Sequence, residues 1–156
     1  MNAMIKLNFP EFTFDTSVVD GNTEIWDEIR KQYVAITPEE WVRQNLLKFL
    51  VSEKKIPAGL ISVEHHLYLN RLQKRCDVVV FNRKGLPVMI AECKAPHIKL
   101  NQKVFDQISQ YNIKLKVPWL LVTNGLTHYC CKIDFERKKY LFLQDIPDFE
   151  MLITQT

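Results

Sequence analysis

The sequence predicts a mixed α/β fold of the α+β kind: a helix, three strands, a second helix and a fourth strand around one mixed sheet flanked by helices. Three observations carry this. The segment Thr37 to Glu53 opens on a helix-capping pattern and keeps an apolar face. Three β-rich runs follow between Leu60 and Cys93, the last two joined by a tight loop. A break at Ala95-Pro96 then leads to a second amphipathic segment and the compact apolar run Trp119 to Val122. That spacing suits a crossover between parallel strands.

Taken in order, Met1 to Asn22 reads as an extended N-terminal arm (1–22) whose Phe9, Phe12 and Phe14 pack on the body, with a turn at Asp20-Gly21. A short helix is expected over Glu24 to Gln32, leading into Tyr33 to Ile36. In the first main helix, Thr37 is the N-cap, Pro38 takes the first helical position, and Glu40 completes a T-x-x-E capping box. Trp41, Leu46, Phe49 and Leu50 supply its apolar face, broadened by Val42 and Leu47. Pro57 and Gly59 close that region. A strand over Leu60 to Leu69 places Ile61, Val63, His65, Leu67 and Leu69 on one face, because side chains two apart in a strand point the same way. Strands over Cys76 to Asn82 and Pro87 to Cys93 come next. The second helix, Asn101 to Lys114, carries Val104, Ile108, Tyr111 and Leu115 as one stripe. Trp119 to Val122 is a buried strand stopped by Asn124-Gly125, and Thr127 to Ile133 with Tyr140 to Leu143 forms a C-terminal hairpin. The organisation expected is one domain over 1–156, with its core at 37–123 and the hairpin at 127–143.

Composition sets bounds without choosing a function. A chain of 156 residues can bury a real core without staples, and 47% hydrophobic with 25% charged residues is ordinary for a globular protein. The net charge of +3 is too small to announce a nucleic-acid binder, although a local basic strip serves that purpose as well. The four cysteines, Cys76, Cys93, Cys130 and Cys131, form no CxxC pair, and no export signal precedes them. Both facts point to a reduced, cytoplasmic protein. No apolar run reaches the length of a membrane span. His65 and His66 diverge on a regular strand, and so do Cys130 and Cys131, which argues against a zinc site.

The chemistry concentrates in RCDVVVFNRKGLPVMIAECKAP, from Arg75 to Pro96. Asp77 opens one apolar run; Glu92 and Lys94 close the next and share a face, while Cys93 points to the apolar side. If Asn82 pairs with Pro87, antiparallel register sets Asp77 opposite Glu92, with Cα atoms within about 5.5 Å. Two carboxylates so close repel each other. A divalent cation, Mg²⁺ or Mn²⁺, is the natural companion, since hard cations take oxygen ligands and keep several waters. Lys94 beside it can hold a water and meet charge developing on a phosphate. The alternatives are structural: Asp77 and Glu92 as surface partners of Arg71, Lys74 and Arg75, and Lys94 as a strand-end side chain reaching into solvent.

Asp77, fourteen residues, then Glu92-Cys93-Lys94 resembles the PD-(D/E)xK nuclease signature, with Cys76 in the proline position. With TPEEWVRQNLLKFL upstream and Gln107-x-x-x-Tyr111 followed by VPWLLVTNG downstream, the span from about Ile25 to Cys130 resembles the N-terminal nuclease domain of type I restriction endonuclease R subunits. The resemblance implies a Mg²⁺-dependent DNA endonuclease leaving 5′-phosphate and 3′-hydroxyl ends. Asp77, Glu92 and Lys94 would be catalytic, with the Cys93 backbone carbonyl joining the two carboxylates on the metal. For Glu40 it implies a place near that metal, and the capping box explains the same residue without one. For Gln107 and Tyr111 it implies substrate placement, with core packing the competing reading of Tyr111. Arg71, Lys74, Arg75, Lys99 and Lys103 flank the motif as candidate phosphate contacts, or as ordinary solvated charges.

The chain has four glycines and no GxxxxGK loop, so no ATP site is read in it. This departs from the R subunits, which carry a motor, and points to a free-standing domain or one served by separately encoded restriction-modification subunits. One such centre nicks one strand, so a double-strand break needs a homodimer or two events. Two competing functions are a non-catalytic nucleic-acid-binding or partner-docking module of the same fold, and a nuclease for RNA or for branched or damaged DNA. Nothing in the residues reads a base or a sugar.

Overall fold

The computed structural model describes residues 4–154; the outermost residues of the expected 1–156 unit lie outside them. Six strands form the central sheet: β4 (Ile61–Leu69), β5 (Leu72–Phe81), β6 (Pro87–Cys93), β7 (Trp119–Thr123), β8 (His128–Asp134) and β9 (Lys139–Leu143). Ahead of them in the chain stand β1 (Thr16–Val19), β2 (Asn22–Asp27), β3 (Gln32–Ala35) and helix α1 (Pro38–Ser52). The strands of the sheet lie side by side in chain order. Only β6 and β7 run parallel, joined across helix α2 (Gln102–Leu115), and the other neighbours are antiparallel. The C-terminal hairpin is therefore the far edge of the sheet that holds the chemistry.

Alternation along the strands sorts the core. Val78, Val80, Met89, Ala91, Leu121 and Cys130 pack under Val42, Leu46 and Leu50 of α1 and under helix α3 (Phe149–Thr154). On the other face, Leu120, Val122, Cys131 and Ile133 meet Phe105 of α2. Cys130 and Cys131 thus diverge as expected. Helix α1 begins where its capping pattern places it, with the Thr37 hydroxyl accepting the Glu40 N–H at 3.0 Å and Pro38 at the first turn. Its burial runs almost all round: Arg43, Gln44 and Asn45 are buried, while Trp41 and Phe49 are only partly covered. The buried stripe of α2 is Phe105, Ser109 and Asn112 in place of the expected Val104, Ile108, Tyr111 and Leu115. Polar residues fill it because they are bonded: the Asn112 amide donates to the Val117 and Trp119 carbonyls at 3.3 and 2.9 Å.

Two expectations are corrected. The first is the helix over Glu24 to Gln32. In its place β2 and β3, with β1 from the end of the N-terminal arm, make a separate antiparallel sheet. Asp20 and Gly21, at φ 51° and 79°, make the tight turn between β1 and β2. The polar residues read as helical form the β2–β3 turn, where the Asp27 carboxylate accepts the N–H groups of Ile29 and Arg30 at 2.8 and 2.9 Å. The cross-strand Trp26–Tyr33 ring pair, 5.1 Å between centroids, holds the strands in register. Phe9 and Phe14 of the arm do pack on the body, against Phe49 and Trp41. Nearby, Leu7 lies so close to Gly125, at φ 85°, that a Cβ there would meet its side chain at 2.7 Å.

The second correction concerns β4, whose odd-numbered residues do not share one face. Ile61 and Val63 pack with α1, whereas Leu67 packs with Val117 and Leu115 on the α2 side. Glu64 sits in the left-handed region at φ 52°, at the gap in the ladder between Val63↔Val78 and His65↔Cys76. A left-handed residue resets the alternation, so Ser62 and His65, three apart, hydrogen-bond at 3.0 Å. The partner position of Glu64 in β5 is Asp77.

Candidate active site

The β5–β6 register does what counting across the loop requires. Val80 pairs with Met89, Val79 with Ile90 and Val78 with Ala91, so one step further sets Asp77 opposite Glu92. Phe81, not Asn82, faces Pro87, and a bulge between Val80 and Phe81 absorbs the difference. At Asp77 a side-chain bond takes over from the ladder, with the Cys93 N–H donating to Asp77 Oδ2 at 2.7 Å. On its other edge β6 runs beside β7, and the Lys94 N–H donates to the Thr123 carbonyl at 2.8 Å. The end of β6 is thus fixed from both sides, which sets the backbone from which Glu92 and Lys94 project. Cys93 is buried under α1, on the apolar side, and burial first holds its thiol well above the ordinary range.

Glu92 is 6% exposed. Burial and then the neighbouring Asp77 carboxylate push its pKa up to about 8, and Lys74 and Lys94 only partly oppose this. No hydrogen-bond donor among the described residues reaches the buried Glu92 Oε1; the Lys74 ammonium stands 3.6 Å away. A carboxylate kept dry, beside another carboxylate and short of donors, is a site that a cation stabilises.

On the α1 side of Asp77 the charges are crowded and paired. Arg43 is 5% exposed; its guanidinium lies 3.7 Å from Asp77 Oδ1 and 3.4 Å from both Glu40 and Glu64. Arg30, from the β2–β3 turn, reaches Glu40 Oε1 at 2.7 Å and Asp27 at 2.6 Å, and Gln44 donates to Asp27 and Glu40 at 2.9 and 3.2 Å. The Glu40 carboxylate therefore serves these partners, one arginine away from Asp77. Arg43, Arg30, Gln44 and Glu64 escaped the sequence reading. The available signal was Arg43-Gln44-Asn45 set between the apolar pairs Trp41-Val42 and Leu46-Leu47, one turn from Glu39 and Glu40.

The other sequence-selected residues divide by position. Lys74 lies between Glu92 and the face of Tyr111, 5.0 Å from the ring centroid, which ties Tyr111 to the site. Gln107, one turn earlier on α2, is exposed, as are Lys99 and Lys103. Arg75 pairs with Glu64 at 2.8 Å. Arg71 is exposed in the β4–β5 turn, six residues or roughly 20 Å of strand from Asp77. His65 packs edge-on against Phe81, while His66 is exposed.

Asp77, Glu92 and the Cys93 carbonyl are hard oxygen donors, and the donor-poor Glu92 oxygen fits them to a divalent cation. Among the described residues no three His, Cys, Asp or Glu side chains are gathered to hold an ion by themselves. An ion held there would take the rest of its shell from water and phosphate oxygens, as Mg²⁺ prefers. Among the described residues no helix is long and apolar enough to cross a membrane.

A family model described as the type I restriction enzyme R protein N terminus matches residues 38–147. The fold is similar to that of a fragment assigned as an HsdR subunit of a type I restriction enzyme from Vibrio vulnificus YJ016, at TM-score 0.54 and 18% identity. The match covers 77% of this chain and 25% of that one, so this chain spans about a quarter of that structure's length. No curated protein matches the chain.

Proposed function

Since the chain belongs to the type I restriction enzyme R protein N-terminal family, we propose that it is a Mg²⁺- or Mn²⁺-dependent DNA endonuclease domain. The observation that carries this is the buried, donor-poor Glu92 carboxylate opposite Asp77, with Lys94 following on the same strand end. Asp77 and Glu92, with the Cys93 carbonyl, would hold the ion. When bound, the cation supplies Lewis-acid stabilisation of charge on the scissile phosphate. Lys94 orients the attacking water and donates to a phosphate oxygen. The water oxygen bonds to phosphorus as the P–O3′ bond breaks; the water releases a proton to solvent and the departing O3′ takes one up, leaving a 5′-phosphate and a 3′-hydroxyl. Asp77 also holds the Cys93 N–H, so one residue both ligates the ion and fixes the strand carrying Glu92 and Lys94. Tyr111 keeps Lys74 against Glu92 on the α2 side, and Gln107, Lys99 and Lys103 face solvent where a backbone phosphate can reach them. Glu40 acts through Arg43, as a positioning residue for Asp77. Separately encoded restriction-modification subunits are the partners this family suggests.

Calorimetry with Mg²⁺ or Mn²⁺ on the wild type and Asp77→Ala, alongside plasmid nicking that includes Lys94→Ala, tests the reading. Metal binding lost in Asp77→Ala and nicking lost in both variants is the expected result. Absence of metal binding by the wild type at millimolar ion would overturn it.

A further inference from the structure

The end of the β4–β5 hairpin does more than complete the sheet. Beyond Leu67, which α2 covers, the two strands run on with both faces open: Tyr68 is 67% exposed, Leu69 36%, and Asn70, Arg71 and Gln73 are exposed as well. The ladder nevertheless stays regular, with His66 opposite Arg75, Tyr68 opposite Gln73 and Leu69 opposite Leu72. One face of this ribbon presents His66, Tyr68, Gln73 and Arg75, with the His66 and Tyr68 rings stacked at 28°. From His65 through Cys76 the chain has Arg71, Lys74 and Arg75 and no acidic residue. Arg75 shares Glu64, yet its side chain remains 59% exposed. Lys74 and Arg75 have acidic neighbours in Glu92 and Glu64, while Arg71 at the tip has none among the described residues, and this projecting ribbon, continuous with the strand that carries Asp77, suits an anionic occupant.

We propose that this ribbon end lies in a groove of duplex DNA and fixes the distance between the duplex end and the carboxylate site. The proposal rests on the nuclease reading in so far as duplex DNA is the substrate. Two strands about 4.8 Å apart, with their side chains, match a major groove about 12 Å wide. Arg71 at the tip and Gln73 donate to phosphate oxygens, and Tyr68 supplies an apolar face. The reach is definite. Six residues of strand separate Arg71 from Asp77, about 20 Å, which corresponds to about 6 base pairs along the duplex. Because the ribbon extends to one side of Asp77, the requirement applies to one side of the cut only.

The test uses the full chain carrying Tyr68→Ser, Arg71→Gln and Gln73→Ala together, all exposed positions, with its melting temperature compared to wild type. Fluorescence anisotropy on a 30-base-pair duplex in Ca²⁺ reads binding without cleavage. The expected result is about a tenfold or greater affinity loss with a shallower salt dependence. End-labelled duplexes in Mn²⁺ read the geometry: wild-type cuts stay about 6 base pairs from one end of each strand, and the triple variant cuts closer. Equal affinity for wild type and variant, tighter wild-type binding to single strands than to duplex, or cuts equally near both ends would each overturn the proposal. Ribbon-dependent binding without any cutting would support the ribbon and count against the nuclease reading, so the two fail separately.

Discussion

Asp27 and Glu92 are both buried carboxylates, at 0% and 6% exposure, and they have opposite fates. Burial raises the Asp27 pKa, but the Arg30 N–H, the Arg30 guanidinium and the Gln44 amide outweigh it and hold the group below its ordinary value. At Glu92 burial also comes first, but the next largest influence is another carboxylate, and the pKa is pushed up to about 8. The first site is closed: its charge is matched by groups belonging to this chain, and it joins the N-terminal sheet to α1. At the second the chain's own counter-charge falls short, since Lys74 at 3.6 Å only partly offsets burial and the Asp77 carboxylate. Asp77 stands between them, touching Arg43 of the closed cluster and facing Glu92 in the open one. The contrast shows how to tell a structural buried acid from a functional one: the question is whether the fold itself supplies the counter-charge.

The largest effect expected from breaking this contrast is at the open site. Glu92→Gln removes the carboxylate while keeping the shape, and metal-dependent nicking should fall by about 10³-fold, with calorimetry showing the loss of ion binding. At the closed site, Asp27→Ala strips Arg30 of a partner inside the fold and should cost about 3 kcal/mol of stability in urea unfolding. An unchanged midpoint would mean that the cluster is not structural.

The two acids should also respond to pH with opposite signs. The folded pKa of Glu92 lies above its ordinary 4.5, so its contribution to stability is greatest below about 4.5 and is lost as pH rises to about 8. Mg²⁺ should flatten that loss in thermal melts. Asp27, with a lowered folded pKa, contributes fully above 3.8 and loses its contribution as pH falls further. A smaller effect tests the link between the sites. Arg43→Lys keeps the charge but not the fork that spans Glu40, Glu64 and Asp77, so metal affinity should drop about tenfold with little change in fold. Smallest of all, Tyr111→Leu removes the ring beneath Lys74, worth about 0.5–1 kcal/mol. It should lower activity a few-fold with no change in metal stoichiometry.

Much of this was legible in the residues because it is local. Thr37-Pro38 with Glu40 three residues on sets the start of α1, and the tight loop after Asn82 lets counting set Asp77 opposite Glu92. Strand period alone sends Cys93 into the core and separates Cys130 from Cys131. The residues Glu24 to Gln32 misled because their polar character suits a turn as well as a helix. Pairing with β1 and β3 decided the matter, and such pairing depends on partners distant in the chain.

By itself, then, the sequence determined the core order of helix, three strands, helix and strand, and the placing of Asp77 on one strand opposite Glu92 and Lys94 at the end of the next. Backbone periodicity and turn chemistry act over a few residues and need no distant information. Tertiary structure alone decided which acids have partners. Arg30 from one sheet, Arg43 from α1 and the left-handed Glu64 of β4 meet around Asp77, while Lys74 and Tyr111 close on Glu92 from the opposite side. Whether a buried charge is satisfied depends on groups brought within a few ångströms by folding, and their separation along the chain gives no measure of that distance.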